Sequence, residues 1–341
     1  MRPKLLNQVL PERDMSDKLA RTIQRFQAKI DSGSFYEAHQ TLRTITNRYV
    51  KAKQYKEARD LLYQGSTILL KNKEFASASD LINYLIQIYD EEGILVSDKD
   101  AKLKLIDLIS NLPNNDPSLS DLAKSSLSWS KKSPGCEKFG DCELHHLFGS
   151  KFLKFVEYGA SQHDIELENG KVVLDPEERA KVFAIAELHL VLGTFESVPL
   201  YINYLVQYAK ANPEVDPGVF LGRAIVNYSY LKNIKFVKEA QDIFLKEIEV
   251  TNKETLKSDF QFYQNYPVLN FLQLLVITLQ KEHTSNSQKF VKLYEQYRGT
   301  LQQYELLAPV EYLGKIYFNV NIGNSNQQGN MLANIMSGLF K

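Results

Sequence analysis

The residues best suited to chemistry in this chain are Cys136, Cys142, His145 and His146, four soft or borderline metal ligands in one short stretch. Zinc sites of the structural kind join two knuckles of closely spaced ligands across a longer loop, whereas these two cysteines have five residues between them. Adjacent histidines on a helix point about 100° apart, so His145 and His146 do not converge on one ion. A second fragment, Gly149-Ser150-Lys151, has the ending of a phosphate-binding loop. The glycine that must open such a loop is replaced by Leu144, and no strand precedes it. His189 lies inside an apolar stretch and is expected as a core histidine, and Glu91-Glu92 and Glu177-Glu178 fit solvated helix ends. No GxGxxG, GxSxG or HExxH occurs. The expectation is a non-enzyme with no cofactor and no metal.

The composition narrows the function further. Of 341 residues, 41 are basic and 41 acidic, so no net charge draws the chain to nucleic acid or to an anionic membrane. The balance is local: residues 1–60 hold 13 Lys/Arg against 7 Asp/Glu, an excess of 6 that suits a solvated face or a docking surface for an acidic partner. The 19 Tyr and 18 Phe fall mostly on apolar stripes, which favours core packing over a nucleic-acid groove. Two cysteines fit a reducing cytosol. The most apolar run, Phe271 to Leu279, is about half the ~20 residues of a membrane span.

The elements that must carry any function are helices. Phe35, Ala38, Leu42 and Tyr49 recur as Tyr55, Ala58, Leu62 and Leu69, then as Phe75, Ala78, Ile82 and Tyr89, at a spacing of twenty. Offsets of three, seven and fourteen lie on one stripe of a helix, and a helix with one apolar stripe must stack on its neighbours. The fold expected is all-α, an α-solenoid of stacked antiparallel helix pairs with a β-hairpin inserted between C-terminal helices. A first helix is predicted from near Ser16 with Leu19, Ile23, Phe26 and Ile30 buried, ending at Gly33 in the left-handed cap conformation. Further helices are predicted with Leu103, Ile106 and Ile109, then Leu119, Leu122 and Trp129, then Leu144, Phe148, Phe152 and Phe155 on their buried stripes.

Two segments break the helical period. Asp164 to Leu174, around Asn169-Gly170, carries the signal of a type I′ hairpin or a loop. Near 248–263 the period changes to two: Ile248 and Val250 alternate with glutamates, and Phe260 and Phe262 share one face, which predicts a second hairpin. The organisation expected is a mobile tail over 1–15, a first half over 16–158, an insertion over 159–175 and a second half over 176–318. A polar linker with a short amphipathic end, Met331 to Phe340, closes the chain over 319–341.

The segment Phe35-Tyr-Glu-Ala-His-Gln-Thr-Leu-Arg-Thr-Ile-Thr-Asn-Arg-Tyr49 resembles the fungal scaffold subunit of the guided-entry pathway for tail-anchored membrane proteins, counterpart of an animal transmembrane-recognition-complex subunit. The likeness continues in Lys138-Phe139-Gly140-Asp141 with His145, in Leu192-Gly193-Thr194, in Asp242 to Leu245, in Leu269 to Leu275 and in Met336-Ser337-Gly338. It implies an adaptor. The N-terminal half would bind a targeting ATPase, and the C-terminal half with its hairpin would bind a ubiquitin-like-domain cochaperone and, through it, the client-capturing cochaperone. The segment over Glu166 to Leu174 is longer than this family pattern has, and its role is unassigned. A proteasome- or signalosome-like helical scaffold is the alternative.

Residue patterns propose the surfaces. The buried stripe of the first repeat leaves Tyr36, Gln40, Arg43 and Asn47 in line on another face, which is taken as the ATPase surface, with Lys18, Arg21 and Arg25 of the preceding helix supplying positive field. Phe260, Phe262 and Tyr263 are taken as the residues that hold the cochaperone. Neither partner is nucleic acid, and no direct membrane insertion is expected.

Overall fold

The computed structural model describes residues 12–158, 175–248, 253–255, 260–281 and 287–322. Most of the expected tail, the Asp164–Leu174 hairpin and the amphipathic C-terminal segment lie outside them. Among the described residues there are fourteen helices and one two-stranded sheet. The chain divides into two compact units, one ending at Arg179 and the other beginning at Ala180.

The first unit is built on the twenty-residue repeat. Helix α1 spans Glu12–Asp31, and α2, α3 and α4 span Phe35–Lys51, Tyr55–Lys71 and Phe75–Glu92, so each copy starts twenty residues after the last. Ala38, Ala58 and Ala78 are fully buried, as are Leu62 and Ile82, with Leu42 nearly so. Small residues at the contact let neighbouring helices approach closely, and each buried leucine or isoleucine adds roughly 1.5–3 kcal/mol. The turns repeat as faithfully as the stripes: Gly33, Lys53, Lys73 and Gly93 all have positive φ, between 58° and 78°. In each, the next residue's N–H reaches back to the carbonyl five positions earlier, Ser34 to Lys29, Gln54 to Tyr49, Glu74 to Leu69 and Ile94 to Tyr89. That bond ties a carbonyl of the last helical turn to the residue that leaves it.

Helices α5 (Lys99–Ser110), α6 (Leu119–Ser130) and α7 (Cys142–Tyr158) extend the unit. Helix α5 packs on α3, α4 and α7, and α6 packs on α4 and α7. The stripe of α5 differs from expectation. Its buried residues are Ala101, Leu105, Leu108 and Ile109, while Leu103 is 62% exposed. Asp98 caps α5 by accepting from the N–H groups of Asp100 and Ala101, which sets the phase that turns Ala101 inward.

Helix α8 (Pro176–Val191) crosses the boundary at 179–180. The second unit continues with α9 (Ser197–Lys210), α10 (Gly218–Tyr230) and α11 (Ile234–Glu247). After the strands β1 (Lys253–Thr255) and β2 (Gln261–Tyr263) come α12 (Pro267–Leu279), α13 (Ser287–Gln303) and α14 (Leu307–Phe318). Helix α10 is central, packing on α9, α11, α12 and α14. At its start the Asp216 carboxylate accepts from the N–H of Gly218 and from the N–H of Val268, at 2.8 Å each, so one buried side chain caps both α10 and α12. A Cβ at Gly218 would stand 2.3 Å from the Leu269 nitrogen, so only glycine permits this approach. Burial pushes the Asp216 carboxyl up, against the lowering pull of its backbone donors.

The hairpin is present between α11 and α12, and of the 248–263 stretch the structure describes Ile248, Lys253–Thr255 and the residues from 260 onward. Helix α11 runs through Glu247, and Ile248 is its C-cap. Strand β1 pairs antiparallel with β2 in the register Lys253 with Tyr263, Glu254 with Phe262 and Thr255 with Gln261.

Candidate partner-binding surfaces

On α2 the line Tyr36, Gln40, Arg43 and Asn47 is carried outward by the burial of Ala38, Leu42 and Thr46 on the same helix. Tyr36 is 75% exposed, the most open of the large hydrophobic side chains among the described residues, and Gln40 and Asn47 are exposed. Arg43 is not free. Its Nη1 donates to both Asp80 oxygens on α4, at 2.5 and 2.6 Å, and its guanidinium lies 5.4 Å from the Tyr84 ring centre. The same carboxylate lies 2.7 Å from Nε2 of the buried His39. Asn47 accepts from the Tyr84 hydroxyl at 2.5 Å. The face therefore extends from α2 to Asp80 and Tyr84 of α4, and its single arginine is paired with an acid within the chain. His39, Asp80 and Tyr84 carry no local motif. Their signal lies in the repeat, which puts every second helix on the same side and so brings α2 beside α4.

Lys18, Arg21 and Arg25 are exposed on α1 and share a stripe with Lys29. Lys29 reaches α2, donating to Thr41 Oγ1 at 3.2 Å and lying 3.6 Å from Glu37. The basic stripe therefore runs beside the α2 face, with Lys29 as the junction residue that the sequence selection omitted.

In the hairpin the three aromatic residues separate. Phe262 is 37% exposed and Phe260 is half-buried, whereas Tyr263 is 2% exposed. Tyr263 points inward because neighbours in a strand face opposite ways, and its hydroxyl donates to Gln261 Oε1 at 2.6 Å. It is a core residue of its own unit, and the choice of Tyr263 as a partner contact is corrected on that ground. Two further residues matter here. Asn270 and Gln273 are buried on α12 and bond the β2 backbone. Two amides on an otherwise apolar helix were the sequence signal for them.

The stretch from Cys136 to His146 is held in structural contacts. Asp141 caps α7, accepting from Glu143 and Leu144 N–H groups, and pairs with Lys102 at 3.3 Å. His145 is buried with Nε2 3.2 Å from the Phe139 carbonyl, and burial lowers its pKa to about 4. Burial raises both cysteine thiols, which opposes the thiolate form a metal needs. Among the described residues no three His, Cys, Asp or Glu side chains are grouped to hold a metal ion. Lys151 is turned inward, donating to the carbonyls of Leu112 at 2.6 Å and Ser110 at 3.2 Å at the end of α5. Among the described residues no helix is long and apolar enough to cross a membrane.

Residues 52–340 match the family described as GET4, Golgi to ER traffic protein 4. The chain belongs to the GET4 family. A relative named Golgi to ER traffic protein 4 from Schizosaccharomyces pombe is 29% identical over 311 residues, covering 89% of this chain and 90% of that one. Its namesake in Aspergillus fumigatus is 28% identical over 346 residues, covering 96% and 91%. The crystal structure of C. therm. Get4 superposes with a TM-score of 0.75 at 24% identity, over 95% of this chain and 96% of that one. The all-α solenoid fold is thus shared with Get4, and the family inferred from Phe35 to Tyr49 is the family found. Both fungal relatives are named as traffic proteins.

Proposed function

We propose that this chain is a non-enzymatic cytosolic adaptor in the post-translational delivery of tail-anchored membrane proteins to the endoplasmic reticulum. The face formed by α1, α2 and α4 binds a targeting ATPase. The hairpin and helices of the second unit bind a ubiquitin-like-domain cochaperone, which brings the client-capturing cochaperone with it. Membership of a Golgi-to-ER traffic family supports the pathway. The observation that carries the bridging is that two unlike exposed surfaces, polar around Tyr36 and aromatic at Phe262, occur in separate compact units of one chain.

Such a bridge works by effective concentration: holding a loaded cochaperone beside an ATPase makes transfer between them intramolecular in effect. If the face also prefers the nucleotide-bound form of the ATPase, its differential affinity shifts that population. Neither step needs a cofactor, nucleic acid or insertion of the adaptor into a membrane.

The test is a pair of titrations on the full chain. Tyr36→Ala weakens ATPase binding and leaves cochaperone binding unchanged, and Phe262→Ala does the reverse. An unchanged ATPase affinity in Tyr36→Ala removes the N-terminal assignment, and unchanged cochaperone affinity in Phe262→Ala removes the hairpin assignment.

A further inference from the structure

Strand β2 has one edge paired with β1 and a second edge that in a two-stranded sheet would stand open. In an antiparallel strand both backbone groups of a residue point to one side, and successive residues alternate. Phe262 lies opposite Glu254 in the register, and the backbone groups of Gln261 and Tyr263, on either side of it, are turned to α12 and so away from β1. All four of those groups are bonded to side chains of α12. Gln273 Oε1 accepts from the Gln261 N–H at 3.0 Å, and Gln273 Nε2 donates to the Gln261 carbonyl at 2.9 Å. Asn270 Oδ1 accepts from the Tyr263 N–H at 3.0 Å, and Asn270 Nδ2 donates to the Tyr263 carbonyl at 2.7 Å.

A primary amide carries the same acceptor and donor as a peptide unit, so two of them in a row imitate a neighbouring strand. The spacing fits. Three residues of helix rise about 4.5 Å and two residues of strand about 6.6 Å. The difference is taken up by the unequal side chains, Gln273 being one methylene longer than Asn270. Both amides are buried, so neither can turn to water as an alternative partner.

We infer that Asn270 and Gln273 are positioning residues for the partner-binding hairpin: they fix the register of β2 so that Tyr263 faces inward and Phe260 and Phe262 face away from it. A slip of one residue would exchange those faces. After a slip the amides would meet the wrong backbone groups, so the clamp selects one register. The inference rests on the reading of the hairpin as the cochaperone surface, and it concerns two residues that the cochaperone itself would not touch.

The experiment uses the full chain with Asn270→Leu and Gln273→Met, singly and together, chosen for matched shape. Amide hydrogen exchange is followed at Gln261 and Tyr263, and affinity is titrated with the N-terminal segment of the ubiquitin-like cochaperone. Removing two buried bonding partners is expected to speed exchange at both amides about tenfold or more. Amides of α10 and α13 should keep their protection, which shows that the unit is still folded. Cochaperone affinity should fall as far as it does in Phe262→Ala. Adding Phe262→Ala to the double variant should cost little more, because the clamp and the ring act through one contact.

Unchanged exchange at Gln261 and Tyr263 overturns the clamp. Faster exchange with unchanged affinity, in a protein where Phe262→Ala does weaken binding, overturns the positioning role and leaves the hairpin assignment standing. If Phe262→Ala binds normally, the hairpin assignment falls and the positioning role falls with it. The single variant Gln273→Met keeps the test decisive should the double variant lose protection throughout the unit.

Discussion

Arg43 of α2 and Asp80 of α4 form a forked contact in which one guanidinium nitrogen serves both carboxylate oxygens, at 2.5 and 2.6 Å. Each side chain is just over a third exposed, so the pair in isolation contributes less than about 1 kcal/mol. Its larger effect is on orientation. The pair holds the polar line of α2 against the ring of Tyr84 and joins two helices into one face.

Arg43→Glu is expected to weaken ATPase binding, increasingly at low salt, and to leave cochaperone binding intact. It also sets two carboxylates side by side, so a loss of roughly 1 kcal/mol in urea unfolding accompanies it. Asp80→Arg combined with Arg43→Glu restores that stability without restoring ATPase affinity. Unfolding curves and binding titrations of the two variants separate the two effects, and ATPase affinity unchanged in Arg43→Glu would count against the face.

Lysine occupies the left-handed turn position at Lys53 and Lys73, where the flanking turns have Gly33 and Gly93. A side chain there costs roughly 1–2 kcal/mol, and its charge near a helix C-terminus returns about 0.3–1. Lys73→Gly should therefore stabilise the protein by about 0.5–1 kcal/mol, whereas Gly93→Ala should destabilise it by a similar amount. Thermal midpoints moving in the same direction for both would contradict this account of the turns.

His145 is held neutral by burial, with a pKa of about 4 in the fold against 6.5 when exposed. The unfolded chain takes up this proton first as acid is added. Stability is therefore unaffected above pH 6.5 and falls as pH drops from there toward 4, by on the order of 3 kcal/mol. His145→Gln should show a shallower decline over that window in urea titrations made at several pH values. An identical slope in the variant would remove His145 as the cause.

For Lys151 the sign runs toward alkali. Burial, with Lys154 nearby, lowers its pKa from 10.5 to about 8. Between those values the unfolded chain holds a proton that the folded one has released, so stability rises with pH from about 8 to 10.5. Lys151→Met abolishes that rise. A rise of equal size in Lys151→Met would assign it to other groups.

The repeat was legible because helix and turn together fill twenty residues, so Phe35, Tyr55 and Phe75 announce three helix starts directly. The stripe of α5 was not. Lys102, Leu103 and Lys104 alternate, and a helix of twelve residues offers too few turns to outvote one exposed leucine. Tyr263 could have been assigned from sequence: sharing a face between Phe260 and Phe262 puts position 263 on the other side. The Arg43–Asp80 contact was beyond any local pattern, since its partners lie 37 residues apart and meet only once α2 and α4 align.

The turns at Gly33, Lys53, Lys73 and Gly93 join their helices with no slack, and this limits how the first unit can vary between relatives. One inserted residue within a helix turns everything after it by about 100°, carrying a buried alanine into solvent and an exposed tyrosine into the stack. Substitution there is tolerated far better than any change of length. From residue 33 to residue 93 the chain is a ruler, able to change its markings but not its divisions.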